Sequence, residues 1–396
     1  LDWSSRSPLA SEDRGIGAPL STRYERKNGL GWPTNSYPLF EEAYRTRKKL
    51  TRAEYLAEIS ELFAGFSQVS SENPFAQYPG VRSAEYLQTS SADNYPIAGP
   101  YRKWHVAQDA VNQGAALLLT TVSEAREADI PEASWVYLHG HSTLSDCHIT
   151  ERPEYSRSRS LEGTLAQALE SSYLTPDDIE FFDIYSCFPC VVLLAAEALG
   201  LDWRKKTLTQ TGGLPFFGGP GNNYSMHAIA AMVDRLRTKP GAFGLVLANG
   251  GYLSKHAAGV YSTNAPKIWE PVDSKAIQME IDEVSLSALK PVNAGEVLEA
   301  FVESFTTVYG RGGVQYLTLV VRNAQGRALI KIVDLQNRTL QAIDAGVDPV
   351  GRRVLLRQTA ASDEPEAGAP GFELAADIDF DQSGPSTSML KRVRSA

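Results

Sequence analysis

Three short stretches of this chain set glycines beside groups that can hold or move a proton. The longest, TGGLPFFGGPGNNYSMHAIAAMV at 211–233, places five glycines, two prolines and two asparagines at the mouth of a helix. Glycines at 218, 219 and 221 let the backbone approach another surface closely with its N–H groups outward. At the positive end of a helix such a turn can hold an oxyanion or a phosphate. The same composition also serves a plain tight turn. Asn222 or Asn223 suits the N-cap, where a side-chain oxygen accepts an orphan N–H. Met226, Ile229, Ala230, Val233 and Leu236 follow at the spacing of one apolar helix face.

The second stretch, FFDIYSCFPCVV, ends a strand with Asp183, Tyr185, Ser186, Cys187 and Cys190 and enters a helix. Its C-x-x-C spacing invites redox or zinc chemistry. A structural zinc needs four ligands, and the supplementary candidates Cys147, His148, His139 and His141 lack a second paired spacing. Cys187 and Cys190 are therefore read as structural and metal-free. The third stretch, LANGGYLSKHAAG, ends a strand at Gly250 and Gly251 and continues to Tyr252, Lys255 and His256. Strand ends in α/β layers are where sites are built, which ranks Tyr185 and His256 above other polar groups.

These stretches need a frame. The 396 residues, 43% hydrophobic and 21% charged, suffice for two to three domains. Subtracting 47 acidic from 38 basic residues leaves a net charge of −9, which disfavours a nucleic-acid partner. No run approaches the roughly 18 apolar residues of a membrane span, and no charged-then-apolar signal opens the chain. Only three cysteines argue for a reducing compartment, so the expected location is cytoplasmic. A first residue of Leu1 rather than Met implies an upstream segment or a separate polypeptide.

Leu1 to about Pro38 has no sustained period and reads as a long surface excursion. Leu39–Phe66 carries helical spacing through Leu50, Tyr55, Ile59 and Phe63. Trp135–His139 is β-rich, Ser160–Ser172 is amphipathic, Phe181–Tyr185 is a strand, and Val191–Leu199 is a helix stopped by Gly200. With the turn, its helix and the run FGLVLANGG, this order predicts an α/β layer structure. After about Pro271 the segments AIQMEID, VLEAFVESFTTVY, QYLTLVVRN, RALIKIVDL and RRVLLRQ read as short strands. VRNAQGRALIKI predicts a hairpin with Asn323–Gly326 as its turn and Ala328, Ile330 and Ile332 on one face. A small antiparallel, OB-like barrel is expected over 275–360. Seven carboxylates without a basic residue make 361–381 an acidic, mobile tail, with the tail region running to 396.

The ordered set DIYSCFP, then TGG with GGPGNNYS, then LANGG resembles the three turns of the thiolase superfamily, sterol-carrier branch. NPFAQYP and PIAGPYRKWHVAQDAVNQGAALLL resemble the end of a thiolase amino-terminal half. The likeness covers about residues 40–265 and is nearest to monomeric, actinobacterial-type thiolase-like proteins with an added β-barrel. It implies a layered α/β/α fold with an incomplete amino-terminal half over 1–125, a carboxy-terminal half over 126–270, and the barrel beyond.

The departures shape the functional expectation. Where thiolases carry a polarising Asn or His, a Gly-His-Pro histidine and a proton-moving cysteine, this chain has Tyr185, Gly219 and Ala248. The acyl-accepting cysteine would lie upstream of Leu1. Losing one oxyanion-hole donor costs about 2.7–4 kcal/mol, so ordinary thiolysis is not expected. The resemblance implies an acyl-CoA binder, with the coenzyme A thioester as substrate or ligand and no permanently bound cofactor. One reading is a retro-aldol or modified acyl-transfer enzyme, with Tyr185 as acid or base, His256 or His227 assisting, and Gly218, Gly219, Asn222, Asn223, Gly250 and Gly251 lining the site. The other is a scaffold that kept the fold and lost the chemistry.

Overall fold

The computed structural model describes residues 19–289, 297–361 and 372–378. Short helices α1 (Arg23–Lys27) and α2 (Pro33–Ser36) lead into α3 (Pro38–Lys48). α1 begins at a capping box in which the Thr22 hydroxyl accepts from Glu25 N and Glu25 accepts from Thr22 N at 2.9 Å. The other Glu25 oxygen accepts from Thr150 N and Oγ1 at 2.9 and 3.1 Å. Leu30, Tyr37 and Glu25 are buried, so the segment 19–38 is anchored in the core rather than lying wholly on the surface as expected. Helices of four or five residues are too short to show a period; residues 1–18 lie outside the described part.

α3 ends at Lys49, whose φ of 60° breaks the expected continuous helix. α4 (Arg52–Glu72) restarts behind a Thr51–Glu54 capping box and buries Tyr55, Ile59, Phe63 and Phe66. α5 (Ala84–Gln88), the short strands β1 (Pro96–Ala98) and β2 (Tyr101–Arg102), and α6 (Val122–Glu127) follow. Between β2 and α6, residues 107–121 form neither helix nor strand.

The expected α/β layers come next: β3 (Tyr137–Ser145), α7 (Arg159–Ser171), β4 (Ile179–Ile184), α8 (Pro189–Ala198), α9 (Tyr224–Thr238), β5 (Phe243–Gly250) and β6 (Lys255–Ser262). The sheet order is β3-β6-β5-β4, with β4 parallel to β5 and the other pairs antiparallel. Register settles the layering. Gly140, Val260 and Leu245 share one ladder row, and a Cβ on Gly140 would strike Ala168 of α7. Gly244 and Tyr261 alternate to the opposite face, where a Cβ on Gly244 would strike Met232 of α9. Helices therefore cover both faces of the sheet.

Two sequence expectations need correction here. The buried residues of α9 are Tyr224, Ala228, Met232 and Leu236, while Met226 is exposed, so the buried face is turned from the expected one. AIQMEID is not a strand but lies in a helix, α10 (Lys275–Asp282). Its alternation coincides with an i, i+4 pair, Ile277 and Ile281, and Gln278 bonds both backbone groups of Ser145 at 2.9 Å.

β7 (Val297–Gly310), β8 (Gly313–Asn323) and β9 (Gly326–Ile332) form an antiparallel meander. Asn323 faces Gly326 at the hairpin turn, and Ala328, Ile330 and Ile332 are buried, as expected. After α11 (Arg338–Asp344), β10 (Arg353–Ala361) pairs with β7, and β11 (Phe372–Ile378) pairs with β10. The stretch read as a mobile tail thus supplies a strand, in which Glu373 and Asp377 interrupt an otherwise apolar run; residues 379–396 lie outside the described part. Among the described residues no ladder joins β9 to β11, so the expected barrel is not closed. β7 instead takes β1 on its edge, through Ala98 opposite Val308.

Candidate functional site

Because β4 and β5 are parallel, their carboxyl ends emerge side by side. Ile184 faces Leu247, and Tyr185 N donates to Leu247 O at 3.1 Å. Two residues further along each segment, Asn249 Nδ2 donates to Cys187 Sγ at 3.4 Å. The glycine-rich turn reaches the same place. Asp183 Oδ2 accepts from Gln210 N at 2.8 Å and Thr211 N at 3.0 Å, and Ser186 Oγ accepts from Leu214 N at 3.1 Å. Gly212 and Gly213 have φ of 104° and 79°, and a Cβ on Gly213 would lie 2.7 Å from Ser186 Oγ. The three turns therefore converge.

The turn does not stand open toward a ligand along its whole length. Residues 107–113 thread between the first two turns: Ala107 N donates to Cys187 O, and Gln108 N donates to Leu214 O, both at 3.2 Å. Gly219 N donates to Gln108 O at 2.7 Å, and a Cβ on Gly218 would lie 2.3 Å from Gln113 Oε1. The close approach that these glycines allow is to the protein's own chain. Asn223 stands at the N-cap of α9, but its side chain caps no backbone N–H; its Nδ2 lies 3.4 Å from His227 Nε2. Asn222 is exposed.

Tyr185 is half-buried at the end of β4, and its hydroxyl bonds no other described residue. Burial pushes its phenol well above the ordinary tyrosine range, so at neutral pH it can donate a proton in a hydrogen bond but does not act as a base. Its ring packs edge-on against Tyr224 at 5.3 Å; Tyr224 meets Phe217 at 6.1 Å, and Phe217 meets His227 at 5.2 Å. Partial burial lowers the His227 pKa, which keeps its ring neutral at pH 7.

His256 belongs elsewhere. It is fully buried opposite Asn249 on the β5–β6 ladder, with Nε2 3.4 Å from Ser158 Oγ and Nδ1 without a partner among the described residues. Burial lowers its pKa to about 4, only partly offset by Asp146, whose Oδ2 accepts from Ser158 Oγ at 2.9 Å. No hydrogen bond or ring contact joins it to Tyr185. Gly250 and Gly251 close the β5–β6 hairpin beneath Tyr37, whose hydroxyl accepts from Asn249 Nδ2 and Leu253 N at 2.9 Å.

Sequence reasoning missed a buried polar group behind these turns. Glu41 on α3 accepts from Tyr101 Oη at 2.6 Å, from Cys190 N at 2.9 Å at the start of α8, and from Tyr55 Oη. Cys187 and Cys190 are free and buried, and burial raises the Cys187 thiol to about 12. His139 Nε2 lies 2.7 Å from Asn264 O, and His141 packs against Trp269. Among the described residues no group of three or more His, Cys, Asp or Glu side chains is placed to hold a metal ion. No described helix is long and apolar enough to cross a membrane.

Comparison with known proteins supplies the lineage. No family model and no curated protein matches the sequence. A monomeric SCP2-thiolase like protein type 1 from Mycobacterium smegmatis is 35% identical over 90% of this chain and 76% of its own, with a TM-score of 0.79. The dimeric peroxisomal thiolase of Saccharomyces cerevisiae is a far more distant likeness, 17% identical over 61% of this chain and 62% of its own, with a TM-score of 0.45. Identity and coverage of that order with the mycobacterial protein place this chain in the SCP2-thiolase-like family of the thiolase superfamily.

Proposed function

We propose that this chain binds acyl-CoA at the converged ends of β4 and β5 and carries out a carbon–carbon bond step other than thiolysis. The observation that carries the reading is Tyr185. A protonated hydroxyl with no bond to another described residue sits where the turns meet, while the neighbouring positions 219 and 248 are glycine and alanine. A hydrogen-bond donor that stays protonated suits stabilisation of a thioester enolate. In a retro-aldol step, neutral His227 takes the β-hydroxyl proton and the Cα–Cβ bond breaks. A carbonyl product leaves, the enolate oxygen accepts from the Tyr185 hydroxyl, and the proton held on His227 passes to Cα.

A binding or scaffolding role is the second reading, favoured by Gly219 N being committed to Gln108 O at 2.7 Å. Equilibrium dialysis with a panel of acyl-CoAs, followed by turnover assays, separates the two. Binding without acetoacetyl-CoA thiolysis is expected under both. Cleavage of a 3-hydroxyacyl-CoA that falls about 10²–10³-fold in Tyr185→Phe, with binding retained, supports the enzyme. Thiolysis at ordinary thiolase rates, or no acyl-CoA binding, refutes the proposal.

A further inference from the structure

A cavity lies away from the three turns, where α3 and α4 meet the β1–β2 turn and β7. Its volume is about 250 Å³, just below the ordinary range of small-ligand sites. Phe305, Tyr309 and Leu56 supply apolar and aromatic wall. Tyr55 and Tyr101 also line it, with their hydroxyls committed to Glu41.

The charges around it do not balance. Arg45 is satisfied throughout: Nε on Glu42 at 2.7 Å, Nη1 on Leu50 O at 2.8 Å, and Nη2 on Asp348 at 2.6 Å. Arg52 stacks on Phe305 at 4.6 Å, donates to Ile343 O at 3.1 Å and lies 4.0 Å from Glu42. With Glu42 and Asp348 set against Arg45 and Arg52, the Arg102 charge is left over. No described carboxylate pairs with it, and its Nε is buried without a hydrogen-bond partner. A half-buried guanidinium whose Nε is desolvated and unpartnered beside an apolar wall is costly, and an incoming anion would relieve that cost.

We propose that this cleft binds a small organic monocarboxylate with a flat, apolar body. The carboxylate pairs with Arg102 and the body lies among Phe305, Tyr309 and Leu56. A phosphate group calls for several converging donors. Here Gly99 N already donates to Thr307 O at 2.9 Å, and the Tyr55 and Tyr101 hydroxyls are taken. The site is independent of the acyl-CoA reading.

The test compares 2-naphthoate with its neutral isostere 2-naphthamide by titration calorimetry on the whole chain. Naphthoate is expected to bind at least about tenfold more tightly than the amide. Arg102→Gln is expected to remove that preference, and Leu56→Trp, which fills the cleft from α4, to block both compounds. Acyl-CoA binding should be unchanged in Arg102→Gln. Equal affinity for the two compounds, no binding of naphthoate, or undiminished naphthoate binding in folded Arg102→Gln overturns the proposal. The comparison of the two compounds on the unaltered protein stands even if a variant fails to fold.

Discussion

Glu41 is held in a fully buried position by three donors, yet burial outweighs them and raises its pKa to about 7. An unfolded glutamate titrates near 4.3. Between those values the native state keeps a proton that the unfolded chain has lost, so stability falls as pH rises through the window, and the penalty is complete above about 7. His105 and His256 act the other way. Burial lowers them to about 3 and about 4, so their contribution is lost as pH falls below the unfolded histidine value near 6.5. The Glu41 slope is isolated by comparison with Glu41→Gln, which is neutral throughout. The melting temperature of the variant relative to the parent should rise from pH 5 to pH 8; a difference that stays flat shows that Glu41 does not titrate there. Nothing in PLFEEAYR announces this role, because a Glu-Glu pair in a helix reads as a solvated face.

The turn between α8 and α9 owes its shape to packing as much as to φ. A Cβ on Gly212 would lie 2.4 Å from the Cα of Ser70, backbone that cannot swing away, at a φ of 104°. Gly200, after α8, has a φ of 67° and open space around it. Gly200→Ala should cost about 1 kcal/mol from backbone conformation alone, and Gly212→Ala at least about 3 kcal/mol. Similar costs in denaturant titration would show that the contact with α4 carries no weight. This contrast also marks what a sequence reveals. Periodicity locates α4 and α7, which each bury one side, and continuous apolar runs locate α8, β4, β5 and the β8–β9 hairpin, which are covered on both sides. Glycine composition locates the turns. It cannot identify what the glycines approach: Ser70 lies on a distant helix, and Gln108 and Gln113 lie in a coil with no period. The face of α9 is misjudged for a related reason. Its Tyr224 is drawn inward by Asp183 and Thr211, polar partners that an apolar tally ignores.

At the scale of the molecule, the carboxy-terminal sheet is built into the core. Val320 and Leu329 join the main hydrophobic cluster, while Leu319, Val321, Ala328 and Ile330 face a second one, so both sides of the β8–β9 hairpin are buried. Residues 24–35 fasten it. Tyr24 Oη accepts from Leu329 N at 2.8 Å, Thr318 Oγ1 donates to Asn28 O at 2.7 Å, and Asn35 Nδ2 donates to Tyr316 Oη at 2.7 Å. Arg327 on β9 is the deepest link. It is fully buried, forks onto Glu303 with two contacts of 2.7 Å, and donates from Nη1 to Thr150 O at 3.2 Å and to Arg152 O. Removing Glu303 alone would leave that guanidinium buried beside backbone carbonyls, a loss of about 3–5 kcal/mol for a broken buried pair. Arg327→Met removes the charge but leaves Glu303, itself only partly buried, to reach water, so the smaller loss is expected there. Because the sheet and the layers share one core, each variant should shift a single cooperative melt to lower temperature. Calorimetry that resolves two transitions, with only one moved by Glu303→Gln, would show that the sheet folds as a unit of its own.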